Sequence, residues 1–100
     1  VFVDHFSLPA FDATGQAEHV PAVTIKRNKI DIGGNSIVVS RLNPRINRTW
    51  WACPTPGVPA LASTELAVLT TDSDAELAAL WLAARAPRFR EELPQRVTGT

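Results

Sequence analysis

Between Ser40 and Trp51 the sequence reads SRLNPRINRTWW, three arginines and two asparagines gathered around one proline and closed by two tryptophans. A guanidinium group can fork onto phosphate oxygens, or onto O6 and N7 of guanine, through two parallel hydrogen bonds. A carboxamide makes the corresponding paired contact with adenine. Arg41, Asn43, Arg45, Asn47 and Arg48 therefore carry the chemistry of nucleic-acid contact. Lys26, Arg27 and Lys29, just upstream, suit phosphate contacts, which supply affinity but no sequence information. The same charges would also serve to solvate the end of an ordinary hairpin, and composition alone does not separate these readings.

Covalent chemistry has little to work with. The chain has no G-x-x-x-x-G-K-[ST] or G-x-S-x-G, and IGGNS lacks the lysine and spacing of a phosphate loop. Ser63 with His5 or His19 would supply a nucleophile and a base, but nothing local brings them together. His5 and His19 lie among Asp4, Asp12 and Glu18 at spacings that match no metal-ligand pattern, so neither metal nor cofactor is expected. Cys53 is the single cysteine, which excludes an internal disulfide and points to a reducing, cytoplasmic setting.

The elements that must position these groups are short. One hundred residues make one domain or part of one, and 45% hydrophobic with 20% charged residues lies in the globular range. No apolar run approaches the ~20 residues of a membrane helix. The net charge of zero conceals an asymmetry. Asp4, Asp12 and Glu18 make residues 1–23 net −3, whereas six basic residues against Asp31 make residues 24–48 net +5. Such a basic segment is a clue to a polyanionic partner.

VFVDHFSL reads as a strand, PAFDATGQAEHVPA as a long loop, and VTIKRNKIDI as either a short helix or a strand. IVVSRL is the clearest strand, with Ile37, Val38 and Val39 suited to burial on both sides, and Asn43-Pro44 breaks it. RTWWAC is extended, placing Trp50 and Trp51 on opposite faces with at least one in the core. ALASTELAVL reads as one further strand, with Ser63, Thr64 and Glu65 as polar residues inside it. SDAELAALWLAARAP is a helix opened by a capping box of Ser73 and Glu76, and Leu77, Leu80, Trp81 and Ala84 form its apolar stripe. PRFREEL forms a second short helix, with Arg88 and Arg90 beside Glu91 and Glu92 on a solvated face. Strands first and helices last predict an α+β fold, a small mixed or antiparallel sheet covered by C-terminal helices.

Taken in order and spacing, FSLPAFDATGQ, TIKRNKI, SIVVSRLNPRINRTWW, ASTELAVL and PRFREELPQRVTGT resemble the target-recognition domain of a type I restriction–modification specificity subunit, over nearly the whole chain. Such subunits carry two globular recognition domains joined by long helices, each domain reading one half of a split DNA target. The helices dock methyltransferase subunits, and through them a restriction and translocase subunit; the specificity subunit itself does no chemistry. The resemblance thus implies a target-recognition-domain-like fold, double-stranded DNA and methyltransferase subunits as partners, and no cofactor. It implies that SRLNPR lies near DNA, which favours Arg41, Asn43 and Arg45. It implies equally that Thr98, Gly99 and Thr100 of VTGT meet the duplex through backbone N–H groups and hydroxyls.

Leu66 departs from the aromatic residue that usually follows the glutamate of STE in that family. Residues 1–100 are expected to form a single, partial recognition domain, with the spacer helix and the second domain outside the segment. Two rivals stand beside this reading: an interaction or scaffold domain with Trp51 or Trp81 on an exposed apolar patch, and a truncated piece of an enzyme.

Overall fold

The structure, a computed structural model, describes residues 1–25 and 28–93. Its elements run β1 (Phe2–Phe6), α1 (Leu8–Thr14), β2 (Glu18–Pro21), a 3-10 turn (Ala22–Thr24), β3 (Lys29–Asp31) and β4 (Ser36–Ser40). They continue with β5 (Thr49–Ala52), β6 (Ala60–Ser63), β7 (Leu66–Leu69), α2 (Asp74–Ala84) and α3 (Pro87–Glu91). The fold is α+β, as the order of strands and helices predicts, but it holds two sheets. One is mixed, in the order β2-β1-β6-β3, with β1 parallel to β6 and the outer pairs antiparallel. The other is antiparallel, in the order β5-β4-β7.

β4 explains the layering. All five of its residues are buried, so both faces of its sheet need cover. On one side Val38, Trp50 and Leu66 meet Phe6, Ala60 and Ala62 of the four-stranded sheet in a shared core. On the other, Ile37 and Val39 pack beneath Leu77 and Ala84 of α2, with Leu80, Trp81 and Phe89 around them. The predicted apolar stripe of the helix is thus the one that covers the sheet. Burying each of the larger aliphatic side chains, Ile37, Val39 and Leu77, contributes about 1.5–3 kcal/mol.

Trp50 enters the core and Trp51 stays outside, as their alternation along β5 requires. The Trp50 ring meets Phe6 and Phe11 edge-on at 5.3 and 4.7 Å, and its indole N–H donates to the carbonyl of Gly15 at 3.0 Å. Gly15 caps α1 at φ 74°, a left-handed position that favours glycine.

Two expectations are corrected here. The predicted loop PAFDATGQAEHVPA holds β2 and all of α1 after its first residue, Leu8. Ser7 caps α1 by accepting from the Ala10 N–H at 3.2 Å, and Pro9 sits in its first turn, where a missing N–H costs nothing. The proline opens a helix there and does not end one. ALASTELAVL is two strands, β6 and β7, in different sheets. Ser63 ends β6, Thr64 and Glu65 form the bend between the strands, and the Ser63 hydroxyl accepts from the Glu65 N–H at 3.4 Å.

The histidines settle in cross-strand pairs. His19 Nδ1 lies 2.8 Å from Asp4, and His5 Nδ1 lies 2.8 Å from Glu18. Asp4 faces His19 and His5 faces Glu18 in the β1–β2 register, so the two pairs fall on opposite faces. Neither histidine is paired with Ser63. Among the described residues no three His, Cys, Asp or Glu side chains converge as a metal site, and no helix is long and apolar enough to cross a membrane.

Candidate nucleic-acid interface

β4 and β5 form a hairpin, and residues 41–48 are its connection. Ser40 N–H donates to the Arg48 carbonyl at 3.0 Å and closes its base. The Ser40 hydroxyl then binds both backbone groups of Leu42, accepting at 3.1 Å and donating at 2.9 Å. Asn43 takes φ 49°, a left-handed conformation that asparagine tolerates better than most residues. Its carbonyl accepts from the Ile46 N–H at 2.9 Å, so Asn43-Pro44-Arg45-Ile46 is a turn with proline at the position its ring favours. Arg45 occupies the tip and is exposed, as are Asn43 and Asn47.

The sequence predicts one basic surface from the three arginines of the segment, and the structure corrects this: they do not form one. Arg41 is only 4% exposed; its backbone N–H donates to the Glu65 carbonyl at 3.0 Å, and its guanidinium donates to the carbonyl of Thr64. It fastens the hairpin to the β6–β7 bend. Arg48 is half-buried and forks onto Asp12 of α1, with Nε–Oδ1 at 3.1 Å and Nη2–Oδ2 at 3.0 Å. Arg45 alone of the three is held out to solvent. Lys29, half-buried on β3, is in register with Ser63, next in sequence to the residue that receives Arg41. Lys26, Arg27, Thr98, Gly99 and Thr100 lie outside the described residues.

A residue that sequence reasoning assigned to a solvated face is the most consequential here. Arg90 of α3 is 1% exposed. Its Nε donates to the Pro44 carbonyl at 2.7 Å, and Nη1 donates to the Ala84 carbonyl at 3.1 Å and to Asn47 Oδ1 at 3.4 Å. Nη2 reaches the Arg45 carbonyl at 3.5 Å. Among the described residues no carboxylate pairs with it. The charge is met instead by carbonyl dipoles, one of them at the C-terminal end of α2, where partial negative charge collects. Hydrogen bonds to charged groups contribute about 1.5–3 kcal/mol each, so this group binds the loop firmly from beneath. Asn47 is drawn into the same scaffold: its Oδ1 also accepts from the Thr49 hydroxyl at 2.7 Å. No local signal in the sequence marks it, because its acceptors on the turn lie 43 to 46 residues upstream.

Asn43, Pro44, Arg45, Ile46 and Glu91 line an open depression of about 490 Å³ beside this turn. It presents a guanidinium, a carboxamide and a carboxylate at one place, a set of donors and acceptors suited to a polar, planar partner. A second exposed feature lies elsewhere on the β5 and α2 surface. Trp51, 38% exposed, sits 5.8 Å from Trp81, with Leu82 67% exposed on the same helix and Arg85 over the Trp81 ring. No family model, no curated protein and no solved structure matches the chain.

Proposed function

We propose that this chain is a non-catalytic DNA-recognition module that confers target-site specificity on a type I restriction–modification complex by reading one half of a split site. The observation that carries the proposal is the hairpin tip: Arg45 and Asn43 exposed on a turn fixed from below by Arg41 and Arg90. Only the turn of this hairpin is exposed, since β4 is buried between β5 and β7, and Arg and Asn are the side chains that pair in forked fashion with guanine and adenine in the major groove. Preorganised donors recognise a base edge better than mobile ones, because less freedom is lost on binding. The resemblance of SRLNPR and its neighbours to specificity subunits supports the same reading. It brings methyltransferase subunits, and through them the restriction subunit, as partners in the cytoplasm.

Buried Arg41 and paired Arg48 leave Arg45 and Asn43 as the contacts offered by the hairpin, with Lys29 for phosphate, and Lys26, Arg27, Thr98, Gly99 and Thr100 stay in the proposed set. Arg41, Asn47 and Arg48 become supports of the reading turn. Replacing Arg45 with Ala, in the full-length protein assembled with its methyltransferases, is expected to cost about 1–3 kcal/mol and to relax preference at one base pair. Uniform weakening on every duplex would make Arg45 a phosphate contact, and undiminished discrimination would remove it from the interface.

A second reading, an interaction module without DNA contact, is favoured by the exposed Trp51, Trp81 and Leu82 surface. It requires that no salt-sensitive duplex binding survive in the complete assembly.

A further inference from the structure

We infer that Arg90 is a positioning residue for base selection, acting through Arg45 without reaching the DNA itself; the inference rests on the recognition reading above. Arg90 is buried and its hydrogen bonds are spent on the turn and its footing, namely the carbonyls of Pro44, Arg45 and Ala84 and the amide oxygen of Asn47. Pro44 and Arg45 are the two central residues of the turn, so their carbonyl directions determine where the Arg45 side chain leaves the backbone. By holding both carbonyls and the end of α2 with one planar group, Arg90 ties the aim of Arg45 to the helical layer. Lysine cannot reproduce this, since it offers one nitrogen where the guanidinium serves four acceptors with three.

The positional claim is distinct from a contribution to folding, and a double-mutant cycle separates the two. Base preference would be measured by duplex binding for the wild type, Arg90→Lys, Arg45→Ala and the double variant, in the full-length assembled protein. Arg90→Lys is expected to relax discrimination at the base pair that Arg45 reads by about tenfold. The double variant is then expected to discriminate no worse than Arg45→Ala alone. Arg88→Ala, an exposed neighbour on α3, is the control and keeps wild-type discrimination.

Unchanged discrimination in a folded Arg90→Lys protein overturns the inference, as does a loss that simply adds to that of Arg45→Ala. Should Arg90→Lys not fold, Asn47→Ala removes one acceptor while leaving the guanidinium in place, and the same cycle decides. Should the wild type discriminate between no duplexes, the recognition reading fails. Amide exchange at Ile46 and Arg48, whose N–H groups close the turn, then decides whether Arg90 holds it. Faster exchange in Arg90→Lys upholds the positioning role and unaltered exchange ends it.

Discussion

Arg41, Arg45 and Arg48 occupy eight residues of sequence and take three different roles. One is buried against a carbonyl, one is held out at a turn, and one is locked to a carboxylate. Their partners come from Thr64 and Asp12, 23 and 36 residues away, and Arg90 reaches Pro44 over 46. Local sequence does not encode such separations, so the basic character of the segment was legible while the division of labour was not. The Arg48–Asp12 pair has its carboxylate half in solvent, which limits its worth. Asp12→Asn is expected to lower stability by less than about 1 kcal/mol in chemical denaturation. It also releases Arg48, so the salt dependence of duplex binding should steepen by up to about 0.9 in log K per log salt. A slope equal to or shallower than the wild type's would show that Arg48 lies away from the phosphates.

Elements were legible where their signals are local. β4 declared itself through Ile37-Val38-Val39, and α2 through its cap and stripe. The Ser73 hydroxyl accepts from the Glu76 N–H at 3.2 Å and donates to the Glu76 carboxylate at the same distance, so both residues of the predicted capping pair are engaged. Ser73→Ala is expected to destabilise the fold by about 1 kcal/mol, seen as a lower Tm with DNA preference intact. No change in Tm would mean that the first turn of α2 draws its order from packing alone. What the sequence obscured were α1, hidden by a proline that opens a helix, and the β6–β7 boundary, where the chain passes from one sheet to the other through Thr64 and Glu65 without a glycine or proline to mark it.

At the scale of the molecule, two sheets and a helical layer converge on one hairpin end. α1 reaches it through Asp12, the β6–β7 bend through Thr64, and α3 through Arg90. A small fold that holds one exposed turn with its buried arginines is suited to presenting that turn rigidly, and the proposed recognition role rests on this. The depression beside it places the Glu91 carboxylate near Arg45, which disfavours indiscriminate phosphate binding and favours a partner with both donors and acceptors. The most direct measurement is a map of methylated sites in cells that carry the intact gene and in cells that lack it. The account predicts a split motif methylated only when the gene is present, one half of which loosens in Arg45→Ala. Identical methylation maps in the two strains would contradict it.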